Sequence, residues 1–165
     1  MRIPFYKYQG TGNDFVVIDQ RRKKYIDSTN VALINNLCDR RFGIGGDGLM
    51  LLTKSKAECV DFTMTYFNAD GNLGSMCGNG GRCLTAFAHS KKIFESHCVF
   101  DAVDGLHEAN FNSDETVSLR FIDVDTVEIG DGFFVLNTGS PHYVVFVEDL
   151  NDINVFENGQ RGDKR

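Results

Sequence analysis

The apolar positions of this chain change period several times, and each change marks an element. Phe15, Val16, Val17 and Ile18 form an unbroken apolar run between Asn13-Asp14 and the basic cluster at 21–24, which reads as a buried strand. Asp27, Ser28 or Thr29 then offers a helix N-cap. Val31, Ile34, Leu37 and Cys38 recur at helical spacing until Asp39-Arg40-Arg41 and Gly43 end the run. Residues 49–52 read as another strand. Val60, Phe62, Met64 and Tyr66 alternate with Asp61, Thr63 and Thr65, predicting a half-buried strand that stops at the turn Asn68-Ala69-Asp70-Gly71.

From Gly78 the period becomes helical: Cys83, Leu84, Phe87 and Ala88 share one face, so a helix is expected from just after Cys77 to about Lys91. Short strands follow around Val99 and over 106–111, 116–124, 133–138 and 143–147. Turns at Asp104-Gly105, Asn112-Ser113-Asp114 and Gly130-Asp131-Gly132 divide them. Two helices among many strands is an α+β order, not the regular alternation of a doubly wound sheet. The acidic stretch 124–131 is the expected boundary between a first domain, 1–123, and a second, 124–165. The second has too few strands for a core of its own and ends in a polar tail at 158–165.

Composition narrows the function classes. A net charge of -6 and a single basic run argue against a nucleic-acid backbone as partner. That run, Arg21-Arg22-Lys23-Lys24, reads as a solvated turn. No apolar stretch approaches membrane-spanning length and the start lacks the apolar core of a secretory signal, so the expectation is a soluble, cytoplasmic protein. The cysteines Cys38, Cys59, Cys77, Cys83 and Cys98 are odd in number and lack C-x-x-C spacing. This fits reduced thiols better than a disulfide scaffold or a zinc site.

The 17 glycines are unevenly spread, and they direct attention to particular loops. They bunch at Gly10-Thr11-Gly12, at 43–48 and at Gly78-Asn79-Gly80-Gly81, where backbone must turn sharply or approach a ligand closely. Cys77 stands immediately before the third cluster and its helix start. Free N–H groups and the positive end of the helix dipole favour a thiolate there, and the same N–H groups suit a substrate carboxylate. Cys77 is therefore the candidate nucleophile or proton-transfer group. Cys38, Cys59, Cys83 and Cys98 read as structural. The loop 43–48 lacks the spacing and the Lys-Ser or Lys-Thr of phosphate loops, and it reads as a wall of the pocket. Asn13 offers donor and acceptor groups suited to a zwitterion. His142 is the one histidine in a turn of the form Gly-Ser-Pro-His; His89, His97 and His107 carry no functional signal.

Together Gly10-Thr11-Gly12-Asn13-Asp14-Phe15, Gly43-Ile44-Gly45-Gly46-Asp47, Asn68-Ala69-Asp70-Gly71, Met76-Cys77-Gly78-Asn79-Gly80-Gly81-Arg82-Cys83 and Gly139-Ser140-Pro141-His142 resemble the diaminopimelate epimerases, which are cofactor-independent amino-acid racemases. The resemblance implies a mixed sheet wrapped around a central helix in each of two pseudo-symmetric domains, each supplying one cysteine. It implies conversion of LL-2,6-diaminopimelate to the meso form with no cofactor and no metal. Cys77 matches the first domain's cysteine, and Asn13, Asn68, Gly78 and Asn79 match substrate-binding positions. His142 matches a histidine near the catalytic site. The implied partners are the small amino-acid substrate, a homodimer of the full-length enzyme, and a complementing C-terminal half.

The sequence also departs from that pattern. No second cysteine at a glycine-rich helix start follows Cys83, and the family's later asparagine and Glu-Arg pair are absent. Ser140 stands where asparagine is common and Gly48 where many members have glutamine. The expectation is a truncated epimerase that does not turn over alone. Two other functions stay open: a different racemase or isomerase of the superfamily, and a catalytically dead amino-acid-binding module.

Overall fold

A computed structural model describes residues 2–154, together with Glu157 and Gly159. Between Phe121 and Ile122 the chain divides into two compact units. The first carries seven strands, β1 (Tyr6–Gly10), β2 (Asn13–Asp19), β3 (Gly48–Thr53), β4 (Phe62–Asn68), β5 (His97–Ala102), β6 (Gly105–Phe111) and β7 (Val117–Leu119). Its two helices are α1 (Val31–Cys38) and α2 (Gly78–Ser90). The strands lie in sequence order in one mixed sheet, with β2–β3 and β4–β5 parallel and the other neighbours antiparallel.

The unbroken apolar runs explain why this sheet is covered on both faces. Successive side chains of a strand point to opposite sides. Phe15 and Val17 therefore join Met50, Leu52, Phe62 and Met64 on one face, while Val16 and Ile18 join Leu49, Leu51 and Phe67 on the other. The first face packs on α2 through Cys83, Leu84, Phe87 and Ala88, and the second on α1 through Ile34 and Cys38. Helix α2 touches β1 and β2 near one edge and β6 and β7 at the other, so the sheet curls around it. This is the α+β architecture expected, a mixed sheet wrapped around a central helix.

Several local expectations are corrected. The N-cap of α1 is Asn30, whose side chain accepts from the Leu33 N–H at 3.1 Å. Asp27 is instead engaged with Lys24 and with the amide and hydroxyl of Thr29, which close a turn before the helix. Strand β1 leaves no mark on the sequence pattern, because its mostly exposed residues have a partner on one side only. The run expected over 116–124 is ordered as a strand only at Val117–Leu119. His107 is buried, with one ring nitrogen 2.9 Å from Asp104 Oδ1 and the other 3.1 Å from the Arg120 carbonyl, in keeping with a structural role.

The second unit holds an antiparallel sheet of β8 (Val127–Ile129), β9 (Phe134–Asn137) and β10 (Pro141–Val144), followed by a single 3-10 turn, Leu150–Asp152. Strand β8 lies within the acidic stretch that the sequence marks as a connector. Apart from Gly159, the polar tail at 158–165 is outside the described residues. No helix among the described residues is long and apolar enough to cross a membrane.

Candidate active site

The site is assembled at one end of the curled sheet by three backbone devices. The first is the hairpin between β1 and β2, whose two-residue loop Thr11-Gly12 has φ of 54° and 86°. Positive φ at both positions is the type I′ geometry that matches strand twist, and it sets Asn13 at the first position of β2. The second is the end of β4 at Asn68, where the turn begins. The third is the start of α2.

Cys77 is the N-cap of α2, extended at φ -110° and ψ 115°, and its sulfur accepts from the Gly80 N–H at 3.5 Å. A thiol in the cap position does there what serine or asparagine usually does. The Gly81 N–H is taken by the Cys77 carbonyl, while among the described residues the N–H groups of Gly78 and Asn79 have no partner. Those two donors at the positive end of the helix form a place for an anion beside the thiol. The absence of a side chain at Gly78 lets the Phe121 ring come close: a Cβ there would stand 2.5 Å from the ring.

Asn13 and Cys77 meet directly, Sγ lying 3.6 Å from Asn13 Oδ1. The other end of that amide is held by Asp47, whose Oδ2 accepts from Asn13 Nδ2 at 2.8 Å and from the Asp14 N–H at 3.0 Å. Asp47 comes from the glycine-rich loop, so that loop contributes more than a wall. Arg40 Nη2 bridges Asp14 Oδ1 at 2.6 Å and Asp47 Oδ1 at 2.7 Å, and Lys7 Nζ pairs with Asp14 Oδ2 at 2.8 Å. The Arg40 and Lys7 hydrogen bonds hold the Asp14 carboxyl well below the usual carboxylate range. The Asn13 and Asp14 donors lower that of Asp47. Neither the spacing of Asp47 nor that of Arg40 flags this network in the sequence; the only hint is a carboxylate placed between two glycines.

Asn79 turns its Oδ1 to the Arg82 guanidinium, and Thr11 Oγ1 lies 3.3 Å from the same atom. Asn68 is exposed at the end of β4. The structure therefore brings Asn13, Cys77, Gly78 and Asn79 together. Ser140 and His142 belong to the second unit, where His142 Nδ1 lies 2.7 Å from the Ser140 carbonyl.

The other thiols differ in kind. Burial pushes Cys83 up to about 11 and Cys98 up to about 12, and raises Cys38, so all three stay protonated inside the core. Cys59 corrects the expectation of a structural role: it is exposed, with φ of 61°, on the loop at the far end of β3 from Gly48.

Comparison with known proteins decides the family. The family model described as diaminopimelate epimerase matches residues 5–127. The chain belongs to the diaminopimelate epimerase family. A diaminopimelate epimerase of Flavobacterium psychrophilum is 50% identical over 156 residues, an alignment covering 94% of this chain and 60% of that protein. One from Chlorobaculum tepidum is 39% identical, with 91% and 60% covered. This member of the diaminopimelate epimerase family thus spans about 60% of the length of these relatives. Two solved structures share its fold at low identity. A hydroxyproline epimerase from Agrobacterium vitis, with bound trans-4-OH-L-proline, has a TM-score of 0.65 at 12% identity, covering 98% of this chain and 60% of that one. A phenazine biosynthesis protein of Bacillus anthracis has a TM-score of 0.66 at 14% identity, covering 92% and 58%.

Proposed function

We propose that this chain supplies one thiol half of a diaminopimelate epimerase. The reaction is inversion of an α-carbon of LL-2,6-diaminopimelate to give the meso form, without a cofactor, in cytoplasmic lysine and peptidoglycan precursor synthesis. In this reading residues 1–123 are the first epimerase domain and 124–165 begin the second. The observation that carries the reading is Cys77 at the cap of α2, with Asn13 against its sulfur and the N–H groups of Gly78 and Asn79 open beside it.

The chemistry follows from that arrangement. The α-proton of an amino acid is a very weak acid, so its removal needs the developing negative charge on the carboxylate side to be stabilised. The open N–H groups at the start of α2 answer that need, with Asn13, Asn68 and Asn79 orienting the substrate. Cys77 exchanges a proton with one face of the α-carbon. Inversion also needs an acid–base group on the opposite face, and a single thiol cannot serve both. The remaining cysteines are buried or lie on the distant loop of Cys59, so this chain contributes one of the two groups. Ser140 and His142 are the candidate contribution of the second unit.

The test is conversion of LL- to meso-diaminopimelate by the chain alone and in combination with the C-terminal half of the Flavobacterium psychrophilum relative. No conversion alone, with conversion in combination that Cys77→Ser abolishes, is the expected result. Substantial turnover by the chain alone contradicts the one-thiol reading. No conversion in either arm contradicts the epimerase reading of this site.

A further inference from the structure

Tyr66 sits in the same end of the sheet, and its surroundings are unlike those of a packing residue. It pairs with Met50 across β3–β4, and shares its face of the sheet with Met50 and Met64. A Cβ placed on Gly80 of α2 would stand 3.2 Å from Met50 Sδ, 3.4 Å from Met64 Cε and 3.5 Å from Cys77 Cβ, so this row of side chains runs beneath the thiol. The Tyr66 ring occupies space that two glycines leave. A Cβ on Gly48 would lie 2.5 Å from Tyr66 Cε2 and 2.9 Å from its hydroxyl, and one on Gly74 would lie 2.5 Å from Cδ1 and Cε1. The ring edge and hydroxyl therefore crowd the space that a side chain at position 48 would enter.

Packing accounts for the ring but not for the oxygen. Phe15 meets Tyr66 edge-on at 5.9 Å between ring centroids and fills this region with no polar atom. Among the described residues the Tyr66 hydroxyl has no hydrogen-bond partner. A half-buried phenol whose oxygen no protein group engages is a free donor to whatever occupies the space beside it. Burial pushes Tyr66 up to about 12, with Cys77 and Asp47 adding to the effect, so the group is a neutral donor throughout the working pH range. Asn68 converges on the same spot: its Oδ1 is 3.1 Å from where a Gly74 Cβ would stand.

We propose that Tyr66 is a substrate-contacting residue of this site, its hydroxyl standing in for a side chain at position 48 and donating a hydrogen bond to a carboxylate oxygen of the amino-acid ligand. The proposal rests on the reading of the Cys77 region as a diaminopimelate site and adds a contact to it. The pairing of Gly48 with Tyr66 is the key relationship, because a side chain at 48 and the ring at 66 compete for one space.

The test is a titration of the full chain with LL- and meso-diaminopimelate, followed by amide resonances of Gly78 and Asn79 and by the ring Cζ resonance of carbon-labelled Tyr66. The expected result is that both sets of resonances move. Tyr66→Phe, which keeps the ring, then weakens binding by about three- to tenfold, the loss expected of one hydrogen bond, with the rest of the amide spectrum unchanged. Asn13→Ala weakens binding independently. An unmoved Tyr66 resonance, or full affinity in Tyr66→Phe while Asn13→Ala binds poorly, overturns the role of Tyr66 and leaves the site reading standing. No movement at Gly78 and Asn79 in the unchanged chain overturns both.

Discussion

Asp47 accepts the side-chain N–H of Asn13 at 2.8 Å, and this one bond decides which end of the Asn13 amide faces Cys77. An ionised carboxylate can only accept, so Nδ2 must point to Asp47 and Oδ1 to the sulfur, 3.6 Å away. The thiol therefore donates to Asn13 while accepting from the Gly80 N–H. Arg40, paired with both Asp14 and Asp47, keeps the carboxylates together in their charged form.

Replacing Asp47 by Asn removes that orienting constraint. The Asn13 amide is then free to turn its N–H groups to the sulfur, which favours the thiolate. Alkylation of Cys77 by iodoacetamide, followed by peptide mass spectrometry, is expected to rise severalfold while that of Cys59 stays constant. The stability loss should be small, about 1 kcal/mol, because Asp47 is partly exposed. Unchanged Cys77 reactivity would show that Asp47 does not set the orientation.

The same network gives a pH dependence with a definite sign. Asp14 and Asp47 titrate below their ordinary value of 3.8 in the folded protein, so the folded state binds fewer protons than the unfolded one in that range. Their contribution is fully present above the ordinary value and is lost as the pH falls through it towards the folded values. The urea midpoint of the chain should drop between pH 6 and pH 3 by more than that of Arg40→Met. Equal drops would mean that Arg40 does not hold the pair.

Much of this organisation is legible in the sequence, and what is not legible depends on distant partners. The start of α2 at Gly78 follows from the change of period and the glycines after Cys77, both local signals. Asn13 is conspicuous because it adjoins a two-residue glycine turn. Asp47 is not, because its partners Asn13 and Asp14 lie 34 and 33 residues away along the chain and only the parallel β2–β3 pairing brings them together. Asn30 caps α1 in place of the three earlier candidates because Asp27 is spent on its own turn. Strand β8 escapes notice because Val127, Glu128 and Ile129 are all exposed, so no buried face imprints an alternation.

Cys77→Ser separates folding from chemistry. A serine hydroxyl is a better N-cap than a thiol, so the thermal midpoint should hold or rise slightly. Any α-proton exchange from solvent deuterium into diaminopimelate, measured with the complementing half present, should be abolished. A large loss of thermal stability would indicate that the thiol is chiefly a packing group.

Gly71→Ala probes the turn that carries Asn68. Gly71 has φ of 88°, and a Cβ there would lie 2.3 Å from the Val31 carbonyl oxygen, a backbone atom with little freedom to move. The substitution is expected to cost on the order of 1–3 kcal/mol, read as a lower urea midpoint. A neutral result would show that the turn and the start of α1 are less closely fitted than the structure indicates.

If the Cys77 thiol stands within an amino-acid site at the start of α2, a bound ligand shields it from alkylation. Iodoacetamide alkylation of each cysteine is followed by peptide mass spectrometry with and without saturating diaminopimelate. The ligand is expected to slow modification of Cys77 and to leave Cys59 unaffected. Equal modification of Cys77 in the presence and absence of ligand would contradict it.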